Sequence, residues 1–256
     1  VAPETTVTRI ILQVVDNTTN QIVNTWTNTG ADIVVDDNGL ISTTFRPELL
    51  LGQTYSFLFW ADGGEAYYDA SDLRAVQTIT TVDEGWNVIS GNDENRDAFY
   101  ACLQPGVYQG KMDGQIIRLT RPFAQFNIKA SDITTENVAD YAATVLDLTY
   151  LGYRDFNVMS GEPFTQVYYD VTATGAGVDV TFTDYILVPE DGAVMDFDLY
   201  TTNPDVEKQF TNVPVKRNYR TNMNGALFHG TNDMTVVINS QWSDEAAVEM
   251  GGSYYT

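Results

Sequence analysis

The clearest alternation of apolar and polar side chains lies near the middle of the chain, in Ile116–Ala130. Ile117 and Leu119 share one parity, whereas Phe126 and Ile128 have the opposite parity beyond an Arg-Pro pair. Strict alternation is typical of half-buried β-strands, and a proline cannot donate a hydrogen bond within a sheet. The pattern therefore predicts two strands separated by a kink at that proline. The alternative is a single strand with an edge proline inside one large domain.

Most of the other predicted elements are strands as well. Val7–Val15 and Gln21–Trp26 are separated by polar residues and predict a hairpin. Tyr55–Ala61 is apolar at both parities apart from Ser56, which indicates a central strand covered on both faces. A tight turn is predicted at Asn38-Gly39. Further strands are predicted at Leu40–Phe45, Ala75–Thr81, Trp86–Ile89, Ala98–Leu103, Thr144–Gly152, Gln166–Val171, Val178–Val188, Val194–Tyr200, Glu207–Thr211, Met223–Phe228 and Met234–Trp242.

Helix is nearly absent from this pattern. Ile133–Ala143 is the one plausible helix, with Ser131 or Asp132 as its N-terminal cap. An α/β enzyme would alternate strands with helices, whereas short strands at turn intervals are typical of β-sandwiches. A chain of 256 residues is long enough for two cores. Together with the central kink, these features predict an all-β protein with two sandwich domains, residues 1–117 and 118–256.

Charge narrows the possible partners. The chain has 13 Lys and Arg residues against 35 Asp and Glu residues, which gives a net charge of −22. Nucleic-acid backbones and anionic membrane surfaces repel such a chain, so we expect neither as a partner. No apolar run is long enough to predict an integral membrane segment. The chain opens with VAPETTVTR, which lacks the features of a signal peptide and predicts a mature or trimmed start.

Residues that could carry catalysis are few. Cys102 is the only cysteine, so it cannot form an internal disulfide, and its place in a strand predicts a buried side chain. His229 is the only histidine, and no Ser/His/Asp arrangement surrounds it in the sequence. The chain also lacks a phosphate-binding loop, a CxxC pair and an HExxH motif. We therefore assign no catalytic residue and expect no cofactor and no enzyme activity.

Two acidic patterns have a functional and a structural interpretation. Asp93, Asn95 and Asp97 have the spacing of a calcium loop, but the glycine and the final glutamate of such a loop are missing. We therefore predict no metal site there. Asp196 and Asp198 share one face of a strand, as a glycosidase pair could, although a solvated strand face is the simpler interpretation.

Paired tyrosines are the third candidate feature, because aromatic rings can stack on sugars. Adjacent strand residues point to opposite faces of a sheet, so each pair offers at most one ring to a ligand. In the first two pairs we expect the other ring to pack in a core. No binding residue is assigned on this basis. The pairs are Tyr67-Tyr68, Tyr168-Tyr169 and Tyr254-Tyr255.

Five segments of the chain together resemble the fimbrillin-like proteins of Bacteroidales, the type V pilins. They follow the same order and span most of the chain, and the most specific are the Arg-Pro strand and the VPVKRNYRTN run. The segments are Thr54–Asp62, Asn92–Ala101, Leu119–Ile128, Val213–Leu227 and Val236–Asp244.

The resemblance implies two tandem transthyretin-like Greek-key β-sandwich domains joined near Arg118, which agrees with the kink. It also implies a lipoprotein precursor that is exported to the outer membrane surface and assembled into a fimbrium. In that family an arginine-specific protease removes an N-terminal strand, and a donor strand from the next subunit fills the vacated groove. An open sheet edge is a suitable template for such pairing.

The chain departs from the family pattern at both ends. Only VAPETT precedes the strand at Val7–Val15, where family members carry a further apolar strand, so we expect a processed form or a chain cut at that point. No cysteine is present for lipidation upstream of this strand. After Trp242 the tail is only weakly apolar, at Ala247, Val248 and Met250. As a donor, such a tail favours a tip or accessory subunit over a shaft subunit. The alternative is a short final strand within its own domain.

These observations predict a non-enzymatic structural or adhesive fimbrial subunit that assembles by β-strand complementation. Its expected partners are other fimbrial subunits and a host or bacterial surface ligand. The main alternative is a monomeric surface carbohydrate-binding lipoprotein that uses exposed tyrosines. A secreted glycan hydrolase is a third possibility, which the missing catalytic constellation disfavours.

Overall fold

A computed structural model describes residues 7–37, 40–110, 115–178, 181–229, 235–239 and 246–250. Within these ranges the chain forms twenty β-strands and three short 3-10 turns, so the prediction of an all-β protein with little helix is confirmed. The turns are Gly30–Asp32, Glu94–Arg96 and Val138–Tyr141. The strands are β1 (Arg9–Asp16), β2 (Gln21–Thr29), β3 (Val34–Val35), β4 (Ile41–Phe45), β5 (Tyr55–Asp62), β6 (Tyr68–Asp69), β7 (Val76–Thr78), β8 (Thr81–Asp83), β9 (Trp86–Ser90), β10 (Ala98–Leu103), β11 (Gln115–Leu119), β12 (Phe123–Ala130), β13 (Val145–Asn157), β14 (Glu162–Thr174), β15 (Phe182–Leu187), β16 (Ala193–Thr202), β17 (Val206–Val215), β18 (Arg220–Gly225), β19 (Thr235–Asn239) and β20 (Ala246–Met250).

The strands form four sheets. Sheet I has the strand order β10-β5-β1-β2, and sheet II has the order β11-β20-β4-β3. Sheet III has the order β15-β12-β18-β19. Sheet IV is the largest, with the order β17-β16-β13-β14-β9-β8, and β7 joins it beside β13 with β6 at its other side. Most neighbours are antiparallel, but β20 on β4, β9 on β14 and β18 on β12 are parallel.

Three hydrophobic cores lie among these sheets. The first core joins sheets I and II around Phe57. The third core joins sheets III and IV, where the rings of Phe126 and Phe197 stack with their centroids 4.3 Å apart. The middle core packs the second face of sheet I against residues of the second half, and Trp60 and Phe123 both belong to it. The two pairs of sheets thus form the predicted sandwich layers.

Strand β5 is covered on both faces, as the apolar residues at both of its parities predicted. All eight of its residues are buried. Phe57 and Phe59 face the first core, whereas Leu58 and Trp60 face the middle core. Burying one such side chain contributes about 1.5–3 kcal/mol, so β5 stabilises both cores at once.

Strand pairing crosses the predicted domain boundary in both directions. β7 and β9 come from the first half of the chain but pair with β13 and β14 of the second half. β20 comes from the second half but lies between β4 and β11 of the first half. The division into residues 1–117 and 118–256 stays a prediction, and each half contributes strands to sheets formed mainly by the other.

The centre of the chain contains the predicted break. β11 ends at Leu119 and β12 begins at Phe123, so the prediction of two strands is confirmed. Arg121 lies in the break and is only 1% exposed. The turn predicted at Asn38-Gly39 lies outside the described residues.

The predicted helix at Ile133–Ala143 is wrong, since only the 3-10 turn Val138–Tyr141 forms there. Asn137 closes local turns instead, because its side-chain oxygen accepts a backbone N–H bond from three residues earlier and its amide donates to the carbonyl of Asp132. Such side-chain bonds to the backbone compete with helix formation. In the described part of the chain, no helix has the length and apolar character needed to cross a membrane.

Buried arginine–aspartate pairs surround the middle core. A buried charge without a partner costs several kcal/mol, so each of these arginines needs its carboxylate if the fold is to form. In every pair the two residues are at least 24 positions apart in the sequence, so the ion pairs join separate strands and turns. The pairs are Arg9–Asp62, Arg96–Asp184 and Arg121–Asp97, with shortest N–O distances of 2.7, 2.6 and 2.8 Å.

The central pair gives a stability prediction. Arg121→Met leaves the Asp97 carboxylate buried without its arginine, so we expect the free energy of unfolding to fall by about 3–5 kcal/mol. Arg74→Met is the matched control, because Arg74 pairs with Asp72 at 2.7 Å but both side chains are partly exposed. That substitution should cost about 1 kcal/mol or less. Urea denaturation of both variants tests this, and equal losses would contradict a special role for the buried pair.

Candidate functional site

Strand β20 joins sheet II from a remote part of the chain. β20 pairs in parallel with β4 on one side and antiparallel with β11 on the other. We call the space between Ile41–Phe45 and Gln115–Leu119 the strand slot. The strand that fills it, β20, begins more than a hundred residues after β11 ends, so no short turn connects it to either of its neighbours in the sheet. Across the slot, Ala246 is aligned with Ile41 and Leu119, Val248 with Thr43 and Ile117, and Met250 with Phe45 and Gln115.

One wall of the strand slot is part of the first core. Ile41, Thr43 and Phe45 alternate as the buried residues of β4. The Thr43 hydroxyl donates to the carbonyl of Asp32 and accepts from the amide of Asn28, both at 2.7 Å. These bonds satisfy a polar side chain that would otherwise be buried at a cost. A strand in the slot therefore completes sheet II directly over the first core.

On sheet IV the structure brings together two groups that the sequence suggested separately. Asp196, Asp198 and Tyr168 line one cleft of about 510 Å³. Tyr168 is 57% exposed, whereas Tyr169 is buried in the third core, as expected for adjacent strand residues. Trp86 also lines the cleft, with its ring centroid 5.4 Å from that of Tyr168. Sequence reasoning missed Trp86, although the alternating burial along β9 is the pattern that leaves its side chain facing outward.

The Tyr67-Tyr68 pair does not line this cleft. Tyr68 is buried in the middle core, and its hydroxyl donates to the carbonyl of Arg96. Burial holds the pKa of Tyr68 well above its usual value. Tyr67 is half-buried against the same core. Tyr254-Tyr255 lies outside the described residues.

Asp93 and Asp97, which have the spacing of calcium ligands in the sequence, both make contacts within the protein. The Asp93 carboxylate accepts the backbone N–H of Asn95 at 3.1 Å and caps the turn Glu94–Arg96. Asp97 is the partner of Arg121. Among the residues that the structure describes, no three His, Cys, Asp or Glu side chains are grouped so that they could hold a metal ion.

Cys102 and His229 have separate surroundings. Cys102 is half-buried, which is less than the prediction of a buried thiol, and burial raises its pKa. The ring Nδ1 of His229 lies 3.4 Å from the Tyr141 hydroxyl and 3.6 Å from Oδ2 of Asp132. The His229 side chain is mostly exposed, which is typical of a surface residue.

Two carboxylates have pKa values shifted in opposite directions. Burial, together with the charges of Asp147 and Asp83, raises the pKa of Asp170, whose Oδ1 is buried without a hydrogen-bond partner. Burial also opposes ionisation of Asp132, but backbone N–H bonds from residues 227–229 outweigh it and hold the pKa of Asp132 below its usual value. The three N–O distances are 2.9, 2.6 and 2.6 Å.

Several solved structures share this fold. The "putative cell adhesion protein" of Bacteroides uniformis superposes with a TM-score of 0.55 at 11% identity, covering 93% of this chain and 92% of that one. One of the "putative polysaccharide binding proteins" of Bacteroides thetaiotaomicron gives 0.54 at 10% identity, covering 91% and 89%. A "putative adhesin" of Bacteroides ovatus gives 0.51 at 12% identity, with the same two coverages. At these identities the comparison shows a shared fold.

The fold therefore places this chain in the class of all-β sandwich proteins that these Bacteroides structures represent. The resemblance to fimbrillin-like proteins of Bacteroidales is confirmed as a likeness of fold. The chain belongs to the family of unknown function DUF6562, whose model matches residues 4–254. No curated protein sequence matches the chain.

The shifted carboxylates predict opposite effects of pH on stability. A raised folded-state pKa means that ionised Asp170 destabilises the fold, so Asp170→Asn should stabilise the protein at neutral pH by a few tenths to about 1 kcal/mol. The gain should vanish once the pH falls below the unfolded-state pKa of about 3.9. Asp132→Asn is the control of opposite sign. Ionised Asp132 stabilises the fold above the unfolded-state pKa, so this variant should be less stable at neutral pH, and the difference should shrink as the pH falls. Thermal melts across this range test both, and a pH-independent difference for either variant would contradict the assignment.

Proposed function

We propose that this protein is a non-enzymatic, adhesive subunit of a cell-surface fimbrium and that it assembles by β-strand complementation. In this proposal the precursor is exported as a lipoprotein to the outer membrane and loses an N-terminal strand, after which the strand slot exchanges the subunit's own β20 for that of a neighbour. A strand from a neighbouring subunit then pairs with β4 and β11. The partners are other fimbrial subunits, together with a ligand on a host or bacterial surface.

The position of β20 is the observation that carries the proposal. Sheet II accepts a strand that is remote in sequence, between two strands that both belong to the first half of the chain. Backbone hydrogen bonds on both sides, rather than a connecting turn, hold that strand. Such pairing depends little on whether the strand belongs to the same chain, so an equivalent strand of another subunit can occupy the same position.

The shared fold supports the adhesive part of the proposal. The relatives from Bacteroides uniformis and Bacteroides ovatus carry names that describe adhesion, and each covers about nine-tenths of this chain. We place the subunit at the tip or in an accessory position. This follows from β20, which spans only five residues and contains two alanines, and is therefore a modest donor strand for a shaft.

The register across the strand slot allows a direct test by cross-linking. Val248 and Ile117 are opposite each other in an antiparallel pair, where Cα atoms lie about 4.5–5.5 Å apart, within the range for a disulfide. We therefore expect co-expressed Ile117→Cys and Val248→Cys subunits, both carrying Cys102→Ser, to form covalent dimers and ladders after oxidation. The measurement is non-reducing electrophoresis of surface-assembled material.

Gln115→Cys is the matched control for this experiment. Gln115 is aligned with Met250, so a cysteine there lies diagonally from position 248, at about 7–8 Å, and should not cross-link efficiently. A chain carrying both Ile117→Cys and Val248→Cys reports on pairing within one subunit. Intrachain bonds in that variant, with no dimers from the co-expressed single variants, would contradict strand exchange.

Processing gives a second, independent prediction. When the precursor is made in a fimbriated host, an inhibitor of arginine-specific proteolysis should shift the mature N-terminus upstream and abolish SDS-resistant ladders. Intact mass and electrophoresis measure the two effects, and a lysine-specific inhibitor is the control. An unprocessed monomer with and without the arginine-specific inhibitor would refute assembly by this route.

A further inference from the structure

Two neighbouring strands of sheet IV, β13 and β16, separate part-way along their length. β13 and β16 pair from Val145–Thr202 to Thr149–Asp198, and the pairing ends there. Beyond this point β13 continues beside β14, while β16 continues beside β17. The cleft of about 510 Å³ opens between the diverging strands, and its volume is within the roughly 300–1,000 Å³ of small-molecule sites. We call it the forked cleft, and its principal lining residues are Trp86, Leu151, Tyr168, Val194, Asp196 and Asp198.

One wall of the forked cleft carries two oriented carboxylates. The β16–β17 pairing shifts register on either side of Asp196, and such bulges re-aim side chains. One oxygen of Asp196 accepts the backbone N–H of Asn212 at 2.7 Å. One oxygen of Asp198 accepts the side-chain amide of Gln209 at 2.8 Å. These bonds orient both groups, and the second oxygen of each carboxylate can accept a hydrogen bond from a ligand.

The opposite wall carries two uncovered aromatic rings. Trp86 is 37% exposed and Tyr168 is 57% exposed. Their planes meet at 57°, so the rings form an angled surface and not a flat stack. Leu151 and Val194, which are 44% and 66% exposed, add apolar area to the cleft. Large rings with an apolar face and a polar end are characteristic of binding surfaces.

We propose that the forked cleft binds a neutral oligosaccharide. A pyranose ring has a face of C–H bonds that can pack on Trp86 and Tyr168, and hydroxyl groups at its rim that can donate to Asp196 and Asp198. Neutral polar groups of Thr149 and Gln166 also line the cleft and can pair with further hydroxyls. Apolar, aromatic and hydrogen-bonding surfaces are thus all matched by one class of ligand.

Charge separates this ligand class from others. Among the described residues, those that line the forked cleft include two carboxylates and no lysine or arginine, within a chain of net charge −22. Acidic glycans are therefore repelled. A cationic peptide can also pair with the two carboxylates. We favour the sugar because its C–H face and hydroxyl rim match the rings and the carboxylates together.

The forked cleft and the strand slot are separate features. The cleft is lined mainly by strands of sheet IV, together with Leu187 and Val188, whereas the slot is part of sheet II. The oligosaccharide site does not depend on assembly by strand complementation, and each can fail without the other.

Calorimetric titration of the full chain tests the site. The probes are three neutral oligosaccharides (maltohexaose, cellohexaose and mannohexaose), with polygalacturonate as the acidic probe and poly-lysine as the cationic one. We expect binding of at least one neutral probe, weakened about tenfold or more by Tyr168→Ala and by Trp86→Ala. Asp196→Asn should weaken the same probe, because the carboxylate loses charge while its shape is kept.

Tyr200→Ala is the matched control, because Tyr200 is 42% exposed on β16 but does not line the cleft. It should leave binding unchanged, and thermal melts verify that every variant is folded. No binding of any neutral probe, equal binding by Tyr168→Ala, or binding of poly-lysine alone would overturn the proposal. Repeating the cysteine cross-linking in the Tyr168→Ala background distinguishes loss of sugar binding from loss of assembly.

Discussion

The buried charges around the middle core are the constraint on which the rest of this fold depends. Arg121 lies in the break between β11 and β12, where it pairs with Asp97 and also lies 4.5 Å above the ring of Phe99. It can stay buried only while β10, which contains Phe99, runs directly beside the break. Arg96 and Asp184 fix the next contact, between the turn before β10 and strand β15. A chain that shifted either strand would leave a charge without its partner, at a cost of several kcal/mol.

That central arrangement explains why the two halves exchange strands. β5 presents one face to the first core and the other to the middle core, so sheet I cannot be separated from the second half without exposing Trp60. The segment after β5 therefore remains close to sheet IV and contributes β7, β8 and β9 to it. The position of Trp86 beside Tyr168 follows from this exchange. The forked cleft is thus built by both halves of the chain, because Trp86 comes from the first half and the other lining residues come from the second.

The local alternation of apolar and polar residues predicted most of the strands, but it did not predict which strands pair with each other. The two apolar parities of Tyr55–Ala61 and the proline after Arg121 are local features, and both predictions from them are confirmed. The helix at Ile133–Ala143 failed because Asp132 and Asn137 bond to backbone groups, including a segment nearly a hundred residues away. The strand slot and the cleft could not be predicted for the same reason. Alternation shows which face of a strand is buried, but it does not show which strand will lie beside it.

Strand assembly and sugar binding, the two proposed activities, each depend on a strand that one half of the chain contributes to a sheet of the other half. The strand slot is filled by β20 from the second half, and the forked cleft is completed by β9 from the first half. Strand exchange in sheet II replaces the hydrogen bonds that the subunit's own β20 makes to β4 and β11 with those of a neighbour's strand, and needs no change in β13, β14 or β16. A subunit held in a fimbrium through the slot would therefore keep the cleft intact on sheet IV. Because strand pairing depends on backbone atoms and sugar binding on side chains, the cleft can change its specificity while the slot keeps its partners.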